Sequence, residues 1–181
     1  MKVIFLDIDG VLNTSKTYVD RKNKYMKTGI LDLDIDEFRV GYLKEILDKT
    51  DAKIVLSSSW RHFFYKNEQI VVPRTKKGLE LYYLLNKYKI EIYDITTKNN
   101  YLKREEQINL WLSQREDVDS FVVIDDESSD LQSFIGKEII KTSRVKDGEI
   151  LMDMDDCTGL CEEHIDMAVR ILNKNKKVLK K

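Results

Sequence analysis

With 181 residues, 42% of them apolar and 35% charged, the chain is long enough for one domain with a sizeable core and little more. Its 31 Lys and Arg nearly balance 32 Asp and Glu, and the formal net charge of −1 means that no global field attracts nucleic acid or an anionic membrane. No apolar stretch approaches the ~20 residues of a membrane span, and Met1-Lys2 runs straight into strand-like sequence, so no spanning helix, no signal peptide and a cytoplasmic location are expected.

In chain order, residues 2–7 (KVIFLD) predict a first strand, followed by a short polar interval at about 13–37. Val40, Leu43 and Leu47 recur at helical spacing before a second strand at 52–57 (AKIVLS). Leu79, Tyr82 and Tyr83 mark another helix, and 90–95 (IEIYDI) a third strand. Ile108, Trp111 and Leu112 give the next helix, then come a strand at 120–125 (SFVVID) and a weaker one at 137–142 (KEIIKT). Ile165, Ala168, Val169 and Leu172 form the apolar stripe of a last helix. Strands rich in Ile and Val, alternating with helices, predict an α/β fold: a three-layer α/β/α Rossmann-like parallel sheet covered on both faces. No linker or repeat divides the chain, so 1–181 is expected to form a single domain.

Ligands of such sheets bind beyond the carboxyl ends of the strands. Asp7 and Asp9 stand at that end of the first strand, Ser57-Ser58-Ser59 at the second, and Asp125-Asp126 after the fourth. Carboxylates gathered this closely repel unless a cation holds them, and an all-oxygen donor set suits a hard ion such as Mg²⁺. Serine hydroxyls and loop N–H groups beside such an ion suit phosphate oxygens. One aspartate could attack phosphorus, while the other protonates the leaving alkoxide and later deprotonates water. Gly10 would let the chain turn away from the strand. Lys103 and Arg104, which open the fourth helix, are the candidate fixed cations for charge on the phosphoryl oxygens.

These residues resemble a known family. DIDGVLN at 7–13 is similar to the first motif of the haloacid dehalogenase (HAD) superfamily, LSSSW at 56–60 to the second, KREEQINLWL at 103–112 to the third and VVIDDESSD at 122–130 to the fourth. The WL and VIDD patterns, SSSW, and TGL at 158–160 also resemble the HAD domain type associated with RNA-repair proteins. The resemblance implies Asp7 as nucleophile and Asp9 as general acid/base, with the Asp9 carbonyl also on Mg²⁺. It implies phosphate binding by Ser57 or Ser58 and by Arg104 or Lys103, and metal ligation by Asp7, Asp125 and Asp126, with Asp130 a weaker candidate. The superfamily's lids are insertions, and here the 13–37 interval has room for a β-flap but not a helical cap. The 60–103 interval holds one helix, one strand and a loop at 66–77. A minimal cap or none is therefore expected, with an open site for a phosphorylated substrate such as a nucleic-acid end or a nucleotide. Basic residues on the two stretches (Lys16, Arg21, Lys22, Lys24 and Lys27, then Lys66, Arg74, Lys76 and Lys77) suit a polyanion.

Two other functions would use the same residues: a phosphate-binding or regulatory module without turnover, which intact Asp7 and Asp9 argue against, and phosphotransfer to an acceptor other than water. Trp60-Arg61 lies beside the site, where core packing explains the Trp as well as substrate contact does. Asp32, Asp34 and Asp36, and Asp153, Asp155 and Asp156, read as solvated stretches. Cys157 and Cys161 read as free thiols, because a zinc site with His164 would lack a fourth ligand nearby. The lysines at 174, 176, 177, 180 and 181 read as a solvated end.

Overall fold

Strand β1 (Lys2–Leu6) is the middle of the molecule, because a five-residue KVIFL run with both faces apolar is stable only between two neighbours and two helix layers. The computed structural model describes residues 1–28, 35–67, 70–135, 137–142, 145–146, 149–150 and 159–174. In it β1 pairs in parallel with β2 (Lys53–Leu56) on one side and β6 (Ser120–Asp125) on the other, with Phe5 opposite both Val55 and Val123. β5 (Ile92–Ile95) and β7 (Ile139–Lys141) complete a five-stranded parallel sheet in the order β5-β2-β1-β6-β7. This is the α/β fold that the alternating pattern predicts.

The period-two alternation along the strands sorts the core into two clusters. Ile4, Leu6, Ile54, Leu56, Val122 and Ile124 face α2 (Glu37–Thr50), α3 (Lys76–Lys87) and α5 (Glu163–Leu172). Val3, Phe5, Val55, Phe121 and Val123 face α4 (Arg104–Ser113) through Ile108 and Trp111. On α3 the buried positions are Gly78, Leu81 and Leu85, whereas Leu79, Tyr82 and Tyr83 are exposed, so the inward face is rotated from the one that their spacing suggests.

Both intervals around the site differ from expectation in their secondary structure. Residues Ser15–Thr28 form helix α1 rather than a β-flap: the stretch lacks Gly, Pro and apolar alternation and carries a Lys16–Asp20 pair at helical spacing. None of its residues is buried, so it adds no core of its own. Part of the expected 66–77 loop is a hairpin, β3 (Phe64–Lys66) against β4 (Val71–Pro73), anchored by buried Phe64 and Val71. A second small hairpin pairs β8 (Val145–Lys146) with β9 (Glu149–Ile150). Among the described residues no helix is long and apolar enough to cross a membrane.

Phe5 packs edge-on against Trp111 and Phe121, with centroids 5.3 and 5.8 Å away. Phe5→Ala should lower the unfolding free energy by about 3–5 kcal/mol, as expected for an aromatic cavity in a closed core. Tyr101→Ala, at a position 98% exposed, should change it by less than about 0.5 kcal/mol in the same denaturant titration.

Candidate active site

The parallel ladders run one residue past the strands and deliver a polar row in spatial order. Thr96 N donates to Leu56 O (3.1 Å), Ser57 N to Leu6 O (2.9 Å), Asp7 N to Ile124 O (3.0 Å) and Thr142 N to Asp125 O (2.9 Å). Thr96, Ser57, Asp7, Asp125 and Thr142 therefore line up along the carboxyl-end rim, and all five are buried. The register that pairs Leu6 with Ile124 is what sets Asp7 beside Asp125.

Asp7, Asp125 and half-buried Asp126 each present a carboxylate oxygen within 4.8 Å of the others. Burial pushes the Asp7 carboxyl above its ordinary value, and Arg104 and a hydrogen bond from the Ser58 hydroxyl oppose it. Burial and then the Asp7 charge raise Asp125 to about 7 and Asp126 to about 6. Arg104 reaches in from the first turn of α4, with its guanidinium nitrogen against Asp125 and 3.3 Å from Asp7. Burial disfavours its charge, but Asp7, Asp125 and Asp130 outweigh that and raise its pKa further. The neighbouring Lys103 is exposed, and its backbone N–H donates to Glu106 (2.7 Å). Of the two basic candidates, Arg104 is the one inside the cluster.

The turn after β1 depends on glycine. Val11, Leu12 and Asn13 all donate backbone N–H to Ile8 O (2.9–3.3 Å), and Gly10 has φ +71°. A Cβ on Gly10 would lie 2.3 Å from the Asp126 carboxylate, so the turn and the third carboxylate share one space. Asp9 leaves this turn exposed, outside the three-carboxylate cluster. Its oxygens accept from Trp60 Nε1 (3.0 Å to each) and from Asn13 Nδ2 (2.9 Å).

The serines after β2 divide. The Ser58 hydroxyl is committed to Asp7 and accepts from Trp60 N (3.2 Å), capping the short turn Ser59–Phe63. The Ser57 hydroxyl is buried beside Asp7 with no hydrogen-bond partner. Ser59 is exposed. Arg61, 6% exposed, donates to Thr97 O (3.0 Å) and Ser58 O (2.8 Å) and ties the ends of β2 and β5 together. Burial, and next the nearby Arg104 charge, lower its pKa. The contacts of Trp60 and Asn13 with Asp9 carry no sequence signal beyond position, as the last residues of the second and first motifs.

Several other acidic and thiol candidates lie outside the three-carboxylate cluster. Asp130 accepts from Arg104 N (3.2 Å), which makes it a cap for α4 that aims the arginine. Asp36 is the N-cap of α2 (2.9 Å from Phe38 N). Cys161 Sγ lies 3.4 Å from His164 Nδ1, which also accepts from Cys161 N, at the start of α5. Asp32, Asp34, Asp153, Asp155, Asp156, Cys157, Thr158 and the lysines at 176, 177, 180 and 181 lie outside the described residues.

The family comparison now decides the fold's lineage. Residues 3–146 match the family described as HAD domain in Swiss Army Knife RNA repair proteins. The chain belongs to that family. The matched span includes the polar row, Arg104 and the Gly10 turn, and the family points to phosphohydrolase-type chemistry. Among curated proteins and solved structures, none gives a significant match. HAD domains generally use Mg²⁺, and the oxygens of Asp7, Asp125 and Asp126, with no imidazole or thiolate among them, fit such an ion.

The raised carboxyls make metal-free stability depend on pH. The folded chain holds these protons more tightly than the unfolded chain, so their stabilisation is complete below about pH 4 and is lost as pH rises through 6 and 7. Glu37, Glu105 and Glu127, whose pKa values are lowered, act in the opposite sense below 4.5. The melting temperature of EDTA-treated protein should therefore fall between about pH 5 and 8, and Asp125→Asn should flatten that slope. A flat or rising profile in the unmutated protein would contradict the burial of these groups.

Proposed function

We propose that this domain is a Mg²⁺-dependent phosphomonoester hydrolase that works through an aspartyl-phosphate on Asp7 and acts on phosphorylated nucleic-acid ends. The observation that carries the reading is the placement of Asp7 between Asp125 and the unpartnered Ser57 hydroxyl, with Arg104 above it and Asp9 at the mouth. A purely structural site would leave neither a buried hydroxyl unsatisfied nor three carboxylates sharing one space.

In this reading Asp7, Asp125, Asp126 and the Asp9 carbonyl would hold the ion, whose charge would screen carboxylate repulsion and polarise phosphoryl oxygens. The Ser57 hydroxyl donates to one phosphoryl oxygen, and Arg104 moves from carboxylate partners to the developing charge. An Asp7 oxygen forms the bond to phosphorus as the bond to the leaving oxygen breaks, and that oxygen takes the proton of the Asp9 carboxyl. Asp9, now ionised, then removes a proton from the water that attacks phosphorus and frees Asp7. Both serines thus have work, Ser57 toward the phosphate and Ser58 as the donor that orients the nucleophile.

The choice of nucleic-acid ends rests on the mouth. Asp9, Asn13, Tyr18, Lys77 and Asp126 line an open cavity of about 330 Å³, with Tyr18 59% exposed at its edge. An exposed aromatic beside a cation suits a base next to a phosphate. Of the other rim lysines, Lys66 is drawn to the buried Asp94 (2.6 Å) and is not offered to a ligand. The family description names RNA repair, which agrees with this class of substrate.

Asp7→Asn should abolish hydrolysis of any phosphomonoester with the fold retained by circular dichroism, because an amide cannot form the phosphoenzyme; substantial residual turnover would remove the nucleophile assignment. For substrate class, kcat/KM on a 3′- or 5′-phosphorylated oligonucleotide should exceed that on the matching mononucleotide, and the preference should shrink as salt rises. Equal values at low salt would point to a small-molecule phosphatase instead.

A further inference from the structure

Trp60 sits in the Ser59–Phe63 turn, 2% exposed, with its ring in the core and its N–H edge at the mouth. Packing alone would be served as well by Phe; the indole N–H is what a Phe lacks, and it meets both oxygens of Asp9 at 3.0 Å. Asn13 adds a third contact at 2.9 Å. Without these contacts an exposed aspartate on a turn would sample several rotamers. The indole is itself held firmly. Phe63 packs against it edge-on at 5.6 Å, and the Lys77 ammonium lies 4.1 Å from its ring centroid. Its backbone N–H donates to the same Ser58 hydroxyl that hydrogen-bonds Asp7. One residue is thereby tied through its backbone to the nucleophile's partner and through its side chain to the second aspartate.

We infer that Trp60 is a positioning residue that sets the carboxyl of Asp9 for proton exchange with the leaving-group oxygen. The inference rests on the phosphomonoesterase reading above and extends it to a residue outside the acidic cluster. The proton that moves is the Asp9 carboxyl's, delivered to the leaving oxygen as its bond to phosphorus breaks; the indole keeps its own proton throughout. Its contribution is orientation, which matters most when the leaving group cannot depart without a proton.

The test compares Trp60→Phe with the unmutated protein on an alkyl phosphate and on an aryl phosphate with a good leaving group. Expected is a loss in kcat/KM, which reports the steps up to the phosphoenzyme, of about tenfold or more on the alkyl ester, with kcat/KM on the aryl ester changed by less than about threefold. In an Asp9→Asn background the same substitution should add little further loss, since the two act as one unit. If Trp60→Phe fails to fold, replacing Trp60 alone by 3-benzothienylalanine keeps the shape and removes only the N–H, and the same split is expected. Equal losses in kcat/KM on the two esters, unchanged kcat/KM on both, or a full additional loss in the Asp9→Asn background would each overturn the inference. If the unmutated protein shows no Asp7-dependent hydrolysis at all, the phosphomonoesterase reading falls first and takes this one with it.

Discussion

Asp7 and Asp125 end adjacent, fully paired strands, and the backbone register that buries Phe5, Val55 and Val123 also forces these two carboxylates side by side. At the separation set by the cluster, two ionised carboxylates repel by roughly 3 kcal/mol at an effective dielectric of about 20. The surrounding structure is organised to manage that repulsion. Arg104 is inserted between the two, Asp130 caps the helix that carries it, and Ser58 donates to Asp7. Burial, and then the repulsion left uncompensated, are expressed as raised proton affinity at Asp125 and Asp126. A hard divalent cation would relieve the same strain, which links the electrostatics of the resting site to the chemistry of the family.

A second buried carboxylate shows what a purely structural solution looks like. Asp94, on β5, is also nearly inaccessible, yet Trp111 Nε1 (2.8 Å), Arg115 (2.5 Å) and Lys66 (2.6 Å) satisfy it. Charge and hydrogen-bonding capacity are both met there, and among the described residues no acidic cluster includes it. The contrast between Asp94 and the Asp7–Asp125 pair separates stabilisation from function more clearly than burial does. Both sites hold an arginine; only one has carboxylates in excess and a hydroxyl without a partner.

Among the described residues the mouth of the site is built from short pieces. Helix α1 contributes Tyr18, the start of α3 contributes Lys77, and the turn after β2 contributes Trp60.

Much of this was legible in the chain because it is written in local chemistry. Apolar runs of four to six residues ending in Asp or Ser identify the strands and the rim on which they end, and DIDGVLN, LSSSW and VVIDD carry the acidic cluster with them. The family followed from the order of those motifs. What the sequence could not resolve were choices between neighbours: Ser57 or Ser58, Lys103 or Arg104, and which face of α3 turns inward. Each depends on a rotation of a strand end or a helix about its own axis, and only long-range packing sets that angle. Within the 13–37 interval Ser15–Thr28 likewise became helix α1, because none of its residues is buried and its helix-compatible local sequence prevails. The contact between Trp60 and Asp9 spans 51 residues and joins the ends of two different strands. Composition and spacing determined that two aspartates would stand at the end of the first strand; the parallel register of β1, β2 and β6 decided what stands beside each of them.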